Sequence, residues 1–164
     1  MIVCFFRHGP AIEAGTPPYT EENRPLTEAG RKKTLQAARG LRRLKLASDA
    51  VLTSPLIRAR ETAEILAEVL ELPRPQLSDR LLPGVPAAQL LEILRETAAT
   101  SPILVGHEPS LSAALALFVG AQDSASLEFR KAGAGVARLR TLSPRPRGTL
   151  LLFVSGSLLR RLAK

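Results

Sequence analysis

Three features of the chain predict a three-layer αβα sandwich on a mostly parallel sheet. Short apolar runs alternate with amphipathic stretches of helical period, which calls for βαβ units with helices on both faces. Several of the runs stop abruptly at polar loops carrying Gly or Pro, as parallel strands do at their carboxyl ends. At 164 residues and 45% hydrophobic content, the chain is long enough to bury a core on each side of a sheet, and residues 1–164 read as one domain.

The first run, Met1 to Phe6, is wholly apolar and rich in β-branched and aromatic residues, so it reads as a strand buried on both faces. It breaks at Arg7-His8-Gly9-Pro10. Ala11 to Pro25, polar and holding Gly15, Pro17 and Pro18, reads as a long loop, and long ordered loops are often functional. Thr27 is placed to cap a helix whose buried face carries Leu35, Ala38 and Leu41, with Gly40 weakening it. Asp49 to Thr53 is a second strand, cut off by Ser54-Pro55. The next segment sets Thr62, Ile65, Leu66 and Val69 at helical spacing. A Pro-rich connection leads to a third helix, apolar at Ala87, Leu90, Leu91, Leu94 and Ala98. Ile103 to Val105 is a strand ending at Gly106-His107-Glu108-Pro109, and a helix apolar at Leu111, Ala114, Leu115 and Phe118 follows. From Leu127 the pattern turns to β: Leu127 to Phe129, Val136 to Leu142 and Leu150 to Val154, adding an edge strand that need not be parallel. The tail SLLRRLAK is a short basic helix or a fray.

Composition excludes several classes. No segment approaches the roughly 18–20 apolar residues of a membrane span, and the first residues lack the basic region and cleavage site of a signal peptide. One cysteine, Cys4, lies inside the first apolar run and reads as a buried thiol; with no internal disulfide available, a cytoplasmic location is expected. The net charge of +8, from 23 Lys and Arg against 15 Asp and Glu, reads as a solvated basic surface, with the segment Arg31 to Lys45 able to steer an acidic protein partner. With no Trp and one Tyr there is no base-stacking platform, so no nucleic-acid partner is expected.

Three strands end in polar loops: Arg7-His8-Gly9, Ser54-Pro55 leading to Arg58, and Gly106-His107-Glu108. In a parallel sheet these loops share one edge, which gathers both histidines of the chain and two arginines. Arginine matches phosphate oxygens and keeps its charge, while neutral histidine offers a nucleophilic nitrogen, so the set suits phosphoryl transfer. Rival chemistries lack their signatures. Position 10 is Pro10, not the arginine a cysteine phosphatase needs six residues after its cysteine. No Walker loop, HExxH pair, Cys/His zinc cluster or G-x-S-x-G elbow is present, so neither a metal nor a cofactor is expected.

Four motifs in order, FxRHG from Phe5, RPLTxxG from Arg24, SPxxRAxxTAE from Ser54 and VGHEPxL from Val105, resemble those of the histidine phosphatase (phosphoglycerate mutase-like) superfamily. The short length, the GHEP form and the later SLEFRKAGAGVARL are most similar to its SixA-type phosphohistidine phosphatases. The resemblance implies the phosphoglycerate mutase-like fold. It also implies His8 as a nucleophile forming a phosphohistidine intermediate, Arg7 and Arg58 as phosphoryl clamps, and His107 as a further hydrogen-bond donor to the transferring group. Arg24 is a further substrate contact, and Gly9 either lets the backbone approach the phosphate or is a plain turn glycine. Arg60, two positions from Arg58, reads as surface, and Thr62 as core packing.

Larger relatives carry an acid in an RLxE segment; here Arg80-Leu81-Leu82 runs into Pro83. Glu108 is the replacement leaving-group acid or a carboxylate on a helix N-terminus; Asp79 is a weaker candidate, and a labile P–N bond needs no strong acid. The expected activity is a metal-independent phosphatase of phosphohistidine in a protein, with an open, shallow site for a phosphohistidine-carrying domain. The alternatives are a phosphatase of a small phosphoester metabolite and a catalytically silent phosphate-binding module.

Overall fold

A computed structural model describes residues 1–164. Its element order is β1 (Ile2–Arg7), α1 (Glu28–Arg43), β2 (Ala50–Thr53), α2 (Ile57–Leu70), β3 (Gln76–Leu77), α3 (Ala87–Glu96), β4 (Pro102–Gly106), α4 (Ser110–Val119), β5 (Ala134–Thr141), β6 (Arg147–Val154) and α5 (Gly156–Leu162). The strands form one sheet in the order β3-β2-β4-β1-β5-β6. β3, β2, β4 and β1 run parallel, while β5 pairs antiparallel with β1 and β6 antiparallel with β5. The antiparallel margin is therefore a two-stranded hairpin rather than a single edge strand.

Alternation along β1 feeds two cores. Cys4 and Phe6 join Val51, Ile103 and Val105 under α1, α2 and α5. Val3 and Phe5 join Leu52 and Leu104 under α3 and α4. The result is the αβα sandwich, and it explains why β1 must be apolar throughout: it is central, with both faces covered. Cys4 is buried and free, its thiol pushed up to about 12 by loss of water.

Thr27 caps α1 as expected, its Oγ1 accepting from the N–H of Gly30 at 2.8 Å. Gly40, which lowers the helical propensity of α1, is there because α5 crosses it: a Cβ at Gly40 would stand 1.9 Å from the carbonyl oxygen of Leu159. The tail is accordingly no fray. Ser155 caps α5, and Leu159 is fully buried against α1.

Two expectations are corrected. Leu127 to Phe129 is not a strand: Ser124–Leu127 is a 3-10 turn opened by Asp123, whose carboxylate accepts from Ala125 N–H at 2.8 Å. Phe129 then turns into the core, packing within about a Cβ contact of Gly135 and edge-on to Phe153 with ring centroids 5.0 Å apart. Ala98 lies outside α3, which stops at Glu96; Thr97 leaves helical geometry and its hydroxyl accepts from Ala99 N–H. No helix is long and apolar enough to cross a membrane.

Candidate active site

The parallel ladders bring the three loops to one level. Arg7 pairs with Gly106 and Thr53 with Val105, and the ladder extends one rung further through His8 N–H to Gly106 carbonyl and Ser54 N–H to Val105 carbonyl, both at 3.1 Å. Because β4 lies between β2 and β1, His107 leaves the sheet between Ser54 and His8. The imidazole rings of His8 and His107 stand 5.0 Å apart, and both side chains are buried.

Each histidine is oriented by one bond. His8 Nδ1 lies 2.7 Å from the carbonyl of Gly9. A carbonyl only accepts, so Nδ1 carries the proton and Nε2 keeps a free lone pair. His107 Nε2 lies 2.9 Å from Ser54 Oγ, while its Nδ1 is buried without a protein partner. Burial, then the neighbouring His107 and the charges of Arg58 and Arg7, hold His8 well below the ordinary histidine range. Burial and the charge of Arg58 likewise lower His107, to about 3. Both rings are neutral at neutral pH.

Arg58 sits in the first turn of α2 and is 2% exposed. Its Nη1 donates to the backbone carbonyl of Glu21 at 2.7 Å and its Nη2 to Glu21 Oε1 at 2.6 Å. Arg24 donates to the same carboxylate through Nε and Nη2, both at 2.9 Å, and to the carbonyl of Ile12 through Nη1. Arg7 donates to the carbonyl of Phe129, and its Nε is buried without a partner. Arg60 is exposed, as expected.

The remaining residues support this centre. Gly9 N–H donates to Thr62 Oγ1 at 3.0 Å, and Thr62 in turn donates to the carbonyl of Arg58 at 2.7 Å. Thr62 is thus a polar brace between α2 and the His8 loop, not simple core packing. Gly9 has a packing reason of its own, since a Cβ there would meet Thr34 Oγ1 at 2.0 Å. Its N–H and carbonyl both serve the protein. Glu108 adjoins His107, but its oxygens accept from Ser112 Oγ at 2.6 Å and from Phe129 N–H at 2.5 Å. Glu108 therefore holds the backbone of Phe129, the residue whose carbonyl takes Arg7. Asp79 opens the 3-10 turn over Asp79–Leu81.

Glu21 is the residue that sequence reasoning missed. Its only local signal is the three-residue spacing to Arg24; nothing in the sequence announces contact with a residue 37 positions on. The loop that carries it is anchored by Ile12 N–H to Pro25 carbonyl, Ile57 N–H to Glu22 carbonyl and Leu26 N–H to Glu61 Oε2. His8 is 6% exposed, and the carboxylate of Glu21 sits in the arginine fork.

A model of the histidine phosphatase superfamily (branch 1) matches residues 3–82. The chain belongs to this superfamily. The matched stretch includes Arg7, His8, Arg24 and Arg58, while His107 lies beyond it. An uncharacterized protein of Picosynechococcus sp. is 40% identical over 149 residues, spanning 85% of this chain and 89% of that protein. Among solved structures, the protein histidine phosphatase SixA complexed with tungstate is similar with a TM-score of 0.83, at 24% identity over 97% of this chain and 99% of that one. The putative phosphohistidine phosphatase SixA from Agrobacterium tumefaciens follows at 0.79, with 24% identity over 94% and 97%. A mycobacterial glucosyl-3-phosphoglycerate phosphatase has the same fold, with a TM-score of 0.71 at 18% identity over 94% and 98%. These likenesses establish the phosphoglycerate mutase-like fold.

Proposed function

We propose that this histidine phosphatase hydrolyses phosphohistidine in a protein, through a covalent intermediate on His8. The observation that carries the reading is the bare Nε2 of His8, fixed by the Nδ1 to Gly9 bond beside His107 and flanked by the Arg7 and Arg58 side chains. Nε2 attacks phosphorus: the P–Nε2 bond forms as the P–N bond of the substrate breaks, and the leaving imidazole keeps the electron pair and takes a proton from solvent, which the water of the second step returns. Water then attacks phosphorus, the P–Nε2 bond breaks, and inorganic phosphate leaves. The arginines neutralise the phosphoryl oxygens throughout, and His107 Nδ1 donates to one of them when Ser54 donates to Nε2. Neutral histidine at working pH suits both roles.

Glu108 acts in this scheme by positioning Arg7 through the backbone of Phe129, since both its oxygens already accept bonds. A leaving nitrogen that protonates readily removes the need for a strong acid. The solved SixA proteins of the same fold, named for phosphohistidine, support this substrate class. A second reading, a phosphatase of a small phosphoester, is supported by the glucosyl-3-phosphoglycerate phosphatase of the same fold.

The test incubates the pure protein, with chelator present, with a phosphohistidine-carrying protein domain and separately with a panel of small phosphoesters, beside His8→Ala. Fast, chelator-resistant loss of phosphohistidine that requires His8 is the expected outcome. Activity confined to the esters moves the protein to the metabolite class. No His8-dependent release from any substrate leaves a phosphate-binding module and ends the enzyme reading.

A further inference from the structure

The carboxylate of Glu21 bridges two guanidinium groups. One oxygen lies 2.6 Å from Arg58 Nη2 and 2.9 Å from Arg24 Nη2, and the other lies 2.9 Å from Arg24 Nε. This is the arrangement in which paired arginines hold an oxyanion. Arg58, at 2% exposure, needs an anionic partner because a buried cation without one is strongly unfavourable.

We propose that Glu21 is a built-in competing anion in the phosphoryl seat, so that a phosphorylated ligand enters by exchange with its carboxylate. The proposal rests on the reading of Arg58 as a phosphoryl clamp. A phosphate oxygen and Glu21 Oε1 cannot both approach Arg58 Nη2 without setting two anions side by side, and like charges at that separation repel strongly. The side chain of Glu21 is 49% exposed, so it can turn into water when displaced. The fork itself stays in place, because each arginine has a second acceptor on the backbone: the Glu21 carbonyl for Arg58 and the Ile12 carbonyl for Arg24.

Exchange has a chemical consequence for selectivity. Inorganic phosphate offers only its own oxygens, so it pays the full penalty of evicting Glu21. A phosphoryl group on a larger carrier offsets that penalty with contacts elsewhere. Glu21 thereby favours phosphorylated macromolecules over free phosphate and helps the product to leave.

Titration of inorganic phosphate into the full chain, followed by calorimetry, tests this without requiring turnover. Glu21→Gln should bind phosphate at least about fivefold more tightly than the wild type, because a neutral amide no longer competes for the fork. Glu22→Gln removes the same charge one residue further along and should stay within about twofold of the wild type. Equal or weaker binding by Glu21→Gln overturns the proposal, as does an equal gain in Glu22→Gln, which would trace the effect to general charge. Glu21→Ala is the second variant, with the same expectation. Turnover of phosphohistidine by the wild type separates the two readings. Tighter phosphate binding by Glu21→Gln alongside an inert wild type keeps the exchange and sinks the enzyme; an active wild type with no gain does the reverse.

Discussion

Thr62 holds the His8 loop by a single hydroxyl, accepting from Gly9 N–H and donating to the Arg58 carbonyl. Thr62→Val keeps the shape and the burial but leaves Gly9 N–H without a partner, at a cost of about 1–3 kcal/mol. The same change loosens Gly9, whose carbonyl orients His8. The expected outcome is a fall in kcat larger than any rise in KM, with a lowered denaturation midpoint. Steady-state kinetics and urea unfolding on the same preparation check it, and unchanged kcat would deny Thr62 a positioning role. Ser54 does the equivalent for His107 from the neighbouring strand. His8 thus has its tautomer set by the Gly9 carbonyl, while the Ser54 hydroxyl orients the ring of His107.

The packing of α5 across α1 turns on Gly40. Alanine there gains about 1 kcal/mol in helix propensity, but its Cβ would lie 1.9 Å from a backbone oxygen that a rotamer change cannot move. Gly40→Ala should therefore destabilise the protein by about 1–3 kcal/mol net, as overpacking does, and speed hydrogen exchange in α5. A variant as stable as the wild type would show that α5 slides freely over α1. Gly40 also shows where the sequence is legible and where it is not. Strands β1, β2 and β4 and helices α2 and α4 announce themselves because an uninterrupted apolar run or a 3.6-residue repeat is a local signal. So are both histidines and Arg58, placed by the breaks at strand ends. Gly40, Thr62 and Glu21 are placed by partners that lie in other elements, Leu159, Gly9 and Arg58, and no local pattern encodes a partner 119, 53 or 37 positions away. β3, two exposed residues paired only with β2, is too short to have a period. Leu127 to Phe129 misleads because its apolar residues serve a turn and a buried aromatic anchor, not a ladder.

Folding couples the site to proton uptake by the chain. His8 and His107 are kept neutral by burial, with folded pKa values below the ordinary 6.5 and that of His107 near 3. Below pH 6.5 the unfolded chain takes up protons that the folded chain refuses, so the stability contributed above that pH is lost as pH falls. Between pH 7 and pH 5, before most carboxylates titrate, the loss should be about 2 kcal/mol for His107, with His8 acting in the same direction. Urea unfolding at the two pH values measures it, and His107→Asn should lower the slope; a flat response in the wild type would mean that the rings are not held neutral. The basic residues gather elsewhere, with Arg39 of α1 meeting Arg160, Arg161 and Lys164 along one cleft beside α5. The strand order carries a last consequence, for biosynthesis. β4 lies between β1 and β2 although it is made some fifty residues after β2. A nascent chain that has emerged only as far as α3 has no central rung on which to align the Arg7-His8 and Ser54 ends. His8 therefore comes level with Ser54 and His107 only once the ribosome has delivered the second half.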